Sequence, residues 1–299
     1  MFSVLIRPKL LFQSRRRTAN LTNNTCAALG YFDGVHLGHK EVIKIALGLT
    51  QYEPVVFTFK SRESCNITAD CTKHKKINEL GIKRIFSYDF EEIKNFSPEE
   101  FVTEILVRKL NAGAVCCGYD FRFGRGGKAD TDELTRICEK SGLVTVVVPP
   151  VELDGVPVSS TLIRELIIKG DMEAVNKFLG CELTYELEVV GGNRVGRTIG
   201  FPTINQNIPK NCVIPRFGVY GSRVTVKDGV YSGITNIGVK PTAGENRAAA
   251  IETHIIDYDG DLYGKTIKVS LLKFIRPEKK FNNFTELSNQ IKEDLTWLK

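Results

Sequence analysis

Two short runs of this 299-residue sequence combine glycines with side chains that bind phosphate or a metal ion. The first is Gly30-Tyr31-Phe32-Asp33-Gly34-Val35-His36-Leu37-Gly38-His39, between an apolar stretch and a helical pattern. Glycines let a backbone approach a ligand, a helix N-terminus attracts anions, and histidines three residues apart share one face. Because two of the four histidines lie here, the run predicts a phosphate-binding loop rather than a tight turn with a capping histidine.

The second run is Gly196-Arg197-Thr198-Ile199-Gly200-Phe201-Pro202-Thr203-Ile204-Asn205. Its glycines and proline predict an unusual backbone, and the Thr203 hydroxyl and the Asn205 amide offer hard oxygen atoms of the kind that suit a hard ion such as Mg²⁺. Taken alone, the run fits a proline-bent connection with turn-capping Thr and Asn better, and the metal site depends on the further matches below.

The first run follows the first of several short apolar segments that alternate with helical periodicity, an arrangement typical of a parallel sheet with crossover helices. The predicted strands are Cys26–Leu29, Pro54–Phe59, Arg84–Tyr88, Ala114–Gly118 and Leu143–Val148. Capping signals predict helices beginning at Ser97 and Asp130, and Gly170 and Gly180 predict two helix ends.

After Gly180 the pattern changes to alternating strands, with Asp228-Gly229 and Asp259-Gly260 predicted as type I′ turns. The predicted strands here are Tyr185–Val190, Gly218–Val226, Val230–Ile237 and Ile251–Tyr258. We therefore expect an α/β domain over residues 1–182, and over residues 183–299 an antiparallel β-barrel or sandwich on which a terminal helix, 283–298, packs.

Composition excludes several classes of protein. Hydrophobic residues make up 42% and charged residues 25%, enough for two buried cores and unlike a fibrous or disordered chain. The net charge of +6 suits anionic small molecules such as nucleotides, and neither half is basic enough to indicate a nucleic-acid binder. No run approaches the length of a membrane span, so we expect a soluble protein without a membrane partner.

The eight cysteines form no C-x-x-C pair, and several lie in apolar stretches. This pattern predicts reduced core thiols in a cytoplasmic protein. The first twenty residues carry five basic and no acidic side chains. They fit a targeting segment, or a leading strand followed by a basic loop.

The first run resembles the G-x-F-D-G-V-H-x-G-H motif of bacterial bifunctional riboflavin kinase/FMN adenylyltransferases, whose H-x-G-H is shared by the nucleotidyltransferase superfamily. Gly118-Tyr119-Asp120-Phe121-Arg122-Phe123-Gly124 and Val158-Ser159-Ser160-Thr161-Leu162-Ile163-Arg164 resemble two later motifs of that family, in the same order. The resemblance implies transfer of AMP from ATP to FMN, giving FAD and pyrophosphate. It implies that His36 and His39 act at the α-phosphate and leaving group, and Ser160 and Arg164 at the β and γ phosphates.

The remaining roles in this domain also follow from the resemblance. Asp33 would orient the loop or Mg²⁺, and Asp120 and Phe121 would line the flavin side. The loop positions implied to contact the ligands are Gly30, Phe32, Gly34 and Gly38.

The second run resembles the G-R-x-x-G-F-P-T-A-N motif of riboflavin kinases. Further matches are Phe217–Tyr220, Asn236–Gly238 with Pro241-Thr242, Ile251–His254, Asp261–Gly264 and Phe274–Arg276. The resemblance implies phosphorylation of riboflavin by ATP, with Glu252 as general base and Thr203 and Asn205 as Mg²⁺ ligands. The positions implied to bind the co-substrates are Gly196, Arg197, Gly200, Pro202, Asn236 and Arg276. Burial of Glu252 in an alternating strand would raise its carboxyl pKa, although a solvent-facing glutamate fits the pattern equally well.

The chain departs from the family pattern in places. Tyr31 replaces a common Asn, and Thr58-Phe59-Lys60-Ser61-Arg62 replaces a T-F-x-P-H-P stretch that shapes the flavin side. Other departures are Ala129, Leu187, Gly191 and Ile204. None of these departures removes an implied catalytic group. The property that we expect them to change most is the affinity for FMN.

Two other functions remain open. One is an adenylyltransferase for a different phosphorylated small molecule, which the second domain disfavours. The other is a catalytically weak flavin-binding regulator, which the intact polar residues disfavour. The expected partners are riboflavin, FMN, FAD and ATP, and the sequence indicates no oligomeric state.

Overall fold

The structure is a computed structural model that describes residues 24–61, 63, 65–192, 195–239 and 249–296. The basic N-terminal segment and Pro241-Thr242 lie outside the described residues, as does the side chain of Arg197. The chain divides into two compact units. Of the described residues, the first unit takes those up to Phe32, Gly38–Lys60 and His74–Pro157, and the second takes those within Asp33–Leu37, Ser61–Lys73 and from Val158 onward. The predicted boundary at residue 182 stays a prediction.

A five-stranded parallel sheet belongs to the first unit, in the order β3-β2-β1-β4-β5. Its strands are β1 Thr25–Leu29, β2 Glu53–Phe59, β3 Arg84–Tyr88, β4 Ala112–Gly118 and β5 Val144–Val148. The central strands β1 and β4 are almost wholly buried, which is why they read as continuous apolar runs. The strand order reverses beside β1, and ligands of open α/β sheets bind at such a point.

Seven α-helices lie among the described residues between 37 and 179, and the predicted capping signals at Ser97, Asp130, Gly170 and Gly180 lie at four of their ends. They are α1 Leu37–Gly48, α2 Asp70–Glu79, α3 Phe90–Ile93, α4 Pro98–Glu100, α5 Thr131–Lys140, α6 Ser160–Lys169 and α7 Met172–Leu179. Helix α4 has a capping box at Ser97 and continues as a π-helix over Phe101–Lys109. Gly170 and Gly180 end α6 and α7 in the left-handed conformation, as predicted. A two-strand hairpin, β6 Glu152–Leu153 and β7 Val156–Pro157, precedes α6.

A six-stranded antiparallel sheet belongs to the second unit, in the order β8-β13-β10-β11-β12-β9. Its strands are β8 Leu183–Glu188, β9 Thr203–Asn207, β10 Gly218–Val226, β11 Gly229–Val239, β12 Ala249–Ile255 and β13 Thr266–Arg276. The sheet curls so that its outer strands approach. The Gln206 side-chain amide donates to the carbonyls of Leu187, at 2.6 Å, and Ile267, at 2.8 Å. The Val190 N–H donates to the Asn205 carbonyl at 2.8 Å.

Two helices accompany this sheet, α8 Val195–Thr198 and α9 Phe284–Leu295. The predicted terminal helix is therefore confirmed, with Asn283 as its N-cap. Helix α9 is joined to β13 by a bidentate ion pair in which Arg276 donates to both carboxylate oxygens of Asp294, at 2.8 and 2.7 Å. The Asp294 side chain is only 2% exposed.

The predicted hairpin turns were wrong. Gly229 is already in β11, paired with Val226, so the turn residues are Lys227 and Asp228. Neither has the left-handed φ that a type I′ turn requires. Asp259 and Gly260 lie in the longer connection between β12 and β13.

All eight cysteines carry free thiols. Cys26, Cys116, Cys117, Cys138 and Cys212 are buried, whereas Cys65 and Cys71 are exposed, which corrects the expectation of core thiols for these two. Burial raises the pKa of Cys117 to about 12 and that of Cys138 to about 11, so these two thiols stay protonated at neutral pH.

Candidate active sites

The loop after β1 has an unusual backbone. Phe32, Gly34 and Val35 have φ values of 55°, 77° and 50°. Only glycine adopts this region readily, and a β-branched residue there costs on the order of 1–3 kcal/mol. Helix α1 begins at Leu37. The strained loop therefore needs tertiary contacts that hold it.

Asp33 supplies several of these contacts. Its carboxylate is 2% exposed, and its Oδ1 accepts from the backbone N–H of Ile67 at 2.8 Å and of Thr68 at 3.3 Å. Its Oδ2 accepts from the guanidinium of Arg164 at 3.0 Å. One carboxylate thus joins the loop to the 61–73 segment and to α6, which fits the predicted role of Asp33 in orienting the loop.

Helix α6 brings Ser160 and Arg164 to the same loop. Ser159 caps the helix by accepting from the N–H of Leu162, and the Ser160 hydroxyl donates to the Asp33 carbonyl at 3.3 Å. The Arg164 Nε is buried and has no hydrogen-bond partner among the described residues. Arg164 therefore holds Asp33 through one nitrogen and leaves a buried donor for another acceptor.

The two histidines differ in their surroundings. His36 is buried, with 5% exposure, and lies just before α1. His39 lies in the first turn of α1, where its ring is 5.2 Å from that of Phe32. Gly30 and Gly38 flank this part of the loop without left-handed φ values. A Cβ at Gly34 would lie 3.0–3.2 Å from the Ile67 side chain, so a larger residue would displace the 61–73 segment.

The segment that departs from the family pattern has its own polar network. Asp70 accepts from the N–H and hydroxyl of Ser61 and pairs with Lys73 at 2.9 Å. Burial raises the pKa of the Asp70 carboxyl, but hydrogen bonds from Ser61 and Lys73 together outweigh it and lower that pKa below its ordinary value. The ammonium group of Lys73 is almost completely buried, so it depends on this partner.

The two residues predicted to line the flavin side, Asp120 and Phe121, differ in burial. Asp120 is exposed, while the Phe121 ring stacks on Phe123 at 5.9 Å and packs against the core of the first unit. Phe121 therefore has a packing role that its sequence motif alone left open.

The second candidate site is built on the face of three neighbouring strands. Asn205 of β9 is directly opposite Glu252 of β12, and Glu252 is directly opposite Asn236 of β11. Directly paired residues point to the same face, so these three side chains form a row. Thr203 lies on the same face as Asn205, two residues earlier. Glu252 is half-buried rather than fully exposed or fully buried.

Asn205 has the features of a cation ligand. It is 5% exposed, and its Oδ1 has no hydrogen-bond partner among the described residues. The backbone of Gly192 lies against it so closely that a Cβ at Gly192 would overlap the Asn205 amide. A buried oxygen without a donor costs free energy unless a ligand supplies positive charge. The residues therefore fit a hard cation such as Mg²⁺.

The turn before Thr203 is tight. The Phe201 N–H donates to the Gly196 carbonyl at 2.8 Å, and a Cβ at Gly196 would overlap the Phe201 carbonyl. Gly200 has a left-handed φ of 81°. The predicted glycine positions thus have a steric reason, although β9 begins at Thr203 and places Thr203 and Asn205 on a strand rather than in a turn.

A cavity of about 580 Å³ opens beside Thr203. Cavities of this size hold small ligands in other proteins. Its lining includes Pro202, Thr203, Thr253, Tyr258, Leu262 and Tyr263.

Two other predicted residues have structural partners. Asn236 donates to Glu278 at 3.4 Å, and Arg276 is paired with Asp294 as described. Their predicted contacts with co-substrates stay predictions.

Sequence reasoning missed the contacts between these residues. The Asp33 to Arg164 ion pair joins positions 131 residues apart, and the Ile67 N–H is a backbone group that no side-chain pattern reveals. The close approach of Gly192 to Asn205 has one sequence signal, because Gly191 and Gly192 form a Gly-Gly pair ahead of the second motif.

The matching family models and the curated relatives agree on one family. A family model described as FAD synthetase matches residues 18–162, and one described as riboflavin kinase matches residues 179–299. A Bacillus subtilis bifunctional riboflavin kinase/FMN adenylyltransferase is 34% identical over 283 residues, covering 89% of each chain. The chain belongs to the bifunctional riboflavin kinase/FMN adenylyltransferase family. Its enzymes convert riboflavin and ATP to FMN, and FMN and ATP to FAD, and this chain is such an enzyme.

Other members of the bifunctional family give the same result. The protein from Listeria monocytogenes is 33% identical, over 91% of this chain and 90% of its own. The protein from Escherichia coli is 29% identical, over 89% of each chain. The match to the riboflavin kinase model removes the alternative of an adenylyltransferase for an unrelated phosphate.

A solved structure of similar fold is described as a macrolide-efflux protein from Streptococcus pneumoniae. It has a TM-score of 0.83 and 29% identity, over 92% of this chain and 93% of that chain. Among the described residues of our chain, no helix is both long and apolar enough to cross a membrane.

Proposed function

We propose that the two reactions are divided along the chain, with adenylyl transfer in residues 1–182 and riboflavin phosphorylation in residues 183–299. The ranges matched by the two family models support this division. The observation that carries it is the presence of two polar constellations built from different parts of the sequence, one around Asp33 and Arg164 and one along Asn205 and Glu252.

In adenylyl transfer, a phosphate oxygen of FMN attacks the α-phosphorus of ATP, and the bond to the bridging oxygen breaks to release pyrophosphate. Such reactions need positioning and positive charge more than covalent help. His36 and His39 stabilise charge at the α-phosphate and leaving group. Ser160 and the unpaired Nε of Arg164 bind the β and γ phosphates. Asp33 holds the loop that carries these groups.

The rest of the first constellation binds the two nucleotides. Gly30, Phe32, Gly34 and Gly38 let the loop backbone approach the phosphates, while Asp120 and Phe121 contact the flavin.

In riboflavin phosphorylation, the Glu252 carboxylate takes the proton of the riboflavin 5′-hydroxyl as that oxygen attacks the γ-phosphorus of ATP. ADP leaves as the bond between the γ-phosphorus and the bridging oxygen breaks. The half-buried position of Glu252 beside Asn205 and Asn236 keeps the carboxylate on the face where Thr203 lies.

Thr203 and Asn205 are the proposed Mg²⁺ ligands. The orphaned Asn205 oxygen supports this assignment. The proposed donor set is one of hydroxyl and amide oxygens, which suit a hard cation. When bound with ATP, Mg²⁺ neutralises phosphate oxygens. The tight turn over Gly196, Arg197, Gly200 and Pro202 sets where these oxygens lie.

The test is a crossover experiment with Glu252→Gln and His36→Ala. Each purified variant is incubated with Mg²⁺ and ATP plus either riboflavin or FMN, and the flavins are separated by chromatography. We expect Glu252→Gln to lose FMN formation and keep FAD formation from supplied FMN, and His36→Ala to do the reverse.

Glu188→Gln, which changes an exposed strand glutamate of β8, is the matched control and should keep both reactions. Loss of both reactions in a folded Glu252→Gln protein would contradict the division. If the unsubstituted protein binds flavin without consuming ATP, it is a flavin-binding regulator.

The proposal includes a cytoplasmic location, which the eight free thiols support because oxidising compartments favour disulfides. Thiol labelling of the denatured protein, taken directly from cells into acid, should modify all eight cysteines. Blocked cysteines would contradict this location.

A further inference from the structure

His254 lies two residues after Glu252 on β12 and directly opposite Thr203 on β9. Its ring contacts the turn that precedes Thr203. The Nδ1 atom is 2.9 Å from the Pro202 carbonyl oxygen, and the ring meets that of Phe201 edge to face, with centroids 5.3 Å apart and planes at 84°. One side chain therefore touches both residues immediately before β9.

The chemistry of this contact determines which ring nitrogen of His254 carries a proton. A carbonyl oxygen can only accept a hydrogen bond, so the proton of the contact must be on Nδ1. Pro202 has no N–H of its own, so its carbonyl is the only backbone hydrogen-bonding group that it offers. The His254 contact uses that group.

The turn has a separate internal bond farther from Thr203. The Phe201 N–H donates to the Gly196 carbonyl at 2.8 Å, and that bond closes the turn on itself. The contacts of His254 with Phe201 and Pro202 tie the closed turn to β12, the strand that carries Glu252.

We propose that His254 is a positioning residue for the kinase reaction: its Nδ1–H holds the Pro202 carbonyl and thereby sets the Thr203 hydroxyl relative to Glu252. The inference rests on the proposed role of Thr203 in binding Mg²⁺ and ATP. In this role His254 acts through the turn and not directly on substrate or phosphate.

Three substitutions separate the hydrogen bond from simple packing. The amide nitrogen of Asn lies at about the same distance along the side chain as Nδ1, whereas that of Gln matches Nε2. His254→Asn thus restores the donor, while His254→Gln and His254→Ala do not. We expect Ala and Gln to raise the KM for Mg·ATP in riboflavin phosphorylation about five- to tenfold, the size expected for one hydrogen bond, and Asn to stay within about twofold.

Amide hydrogen exchange provides a readout independent of turnover. In the protein without nucleotide, a peptide covering residues 196–207 should exchange faster in the Ala and Gln variants than in the Asn variant. FAD formation from supplied FMN should be unchanged in all three, which also shows that the variants are folded.

Equal KM values and equal exchange in the three variants would overturn the proposal, because packing alone would then account for His254. Thr203→Ala tests the underlying assignment separately. If Thr203→Ala leaves the KM for Mg·ATP unchanged while the unsubstituted protein makes FMN, the role of Thr203 is wrong whatever the His254 variants do.

Discussion

The carboxylate of Asp33 has three hydrogen-bond donors, two backbone N–H groups and the guanidinium of Arg164. These contacts hold a loop in which Phe32 and Val35 have unfavourable φ values. A side chain that stabilises strained backbone next to reactive groups affects activity and stability together. In the first constellation, Asp33 is therefore the position at which replacing one carboxylate oxygen best tests the link between the loop's stability and its activity.

We predict that Asp33→Asn lowers the free energy of unfolding by about 1–3 kcal/mol, because it leaves the Arg164 charge without its partner. The lower part of this range applies since the Arg164 side chain is 21% exposed. FAD formation from FMN should fall at least tenfold, while FMN formation continues. Urea denaturation and the two activity assays measure these effects.

Glu53→Gln is the matched control, because it breaks a Glu to Arg ion pair whose two side chains are 47% and 48% exposed. It should cost no more than about 0.5 kcal/mol. If Asp33→Asn costs no more than this control, Asp33 does not hold the loop.

The residue types of both constellations were predictable, because each lies in a short glycine-containing run with a definite chemistry. Their partners were not. Nothing in the sequence indicates that Asp33 binds Arg164 or that His254 contacts Pro202, since both contacts depend on how distant strands and helices pack. The motif around Asp120 predicted a flavin contact, and the structure adds packing of Phe121 on Phe123.

The loop between β8 and β9 contains two adjacent glycines with different surroundings. A Cβ at Gly192 would overlap the Asn205 amide, whereas a Cβ at Gly191 would meet nothing within 4 Å. We predict that Gly192→Ala displaces Asn205 and lowers kcat/KM for riboflavin phosphorylation at least tenfold. Gly191→Ala should change it less than twofold. Steady-state kinetics on both variants provides the measurement.

FAD formation from supplied FMN should be the same in the two glycine variants, which excludes general misfolding. Equal kinase activity in both would mean that the close approach of Gly192 to Asn205 has no part in the reaction.

Helix α9 is attached to β13 through the ion pair between Arg276 and Asp294. We predict that Asp294→Asn destabilises the protein by about 2–4 kcal/mol, because the Asp294 carboxylate is 2% exposed and its loss leaves a largely buried guanidinium unpaired. Glu293→Gln, at the exposed neighbouring position, should cost less than about 0.5 kcal/mol. Denaturant unfolding of both variants tests this, and equal costs would contradict it.

The helices and the parallel strands were predictable because their signals are local: continuous apolar runs, capping residues and terminal glycines. The start of β9 was not, since Thr203 and Asn205 follow glycines and proline that favour a turn, and only pairing with β12 makes the segment a strand. The Asp228-Gly229 prediction failed by one residue because the register of β10 with β11 pairs Val226 with Gly229.

FMN is the product of riboflavin phosphorylation and the substrate of adenylyl transfer. Because both reactions belong to one chain, FMN could be released between them or stay bound. We predict that a mixture of Glu252→Gln and His36→Ala proteins converts riboflavin to FAD, although neither does so alone, because FMN is a small product that dissociates and rebinds. Chromatography of the mixture over time should show FMN before FAD.

A mixture of Glu252→Gln with the double variant Glu252→Gln/His36→Ala is the control and should form no FAD. If the first mixture makes FMN but no FAD, while Glu252→Gln still adenylylates supplied FMN at the same concentration, then released FMN is too dilute to be used and the prediction is wrong.

The amide of Gln206 has a consequence for the behaviour of the protein at high concentration. Unsatisfied N–H and C=O groups along the outer strands of an antiparallel sheet can recruit a strand from another polypeptide and so begin aggregation. Gln206 is fully buried, and its amide donates hydrogen bonds to the carbonyl of Leu187 in the outer strand β8 and to that of Ile267 in the neighbouring strand β13. A single uncharged side chain thus occupies a carbonyl of an outer strand that could otherwise pair with another molecule.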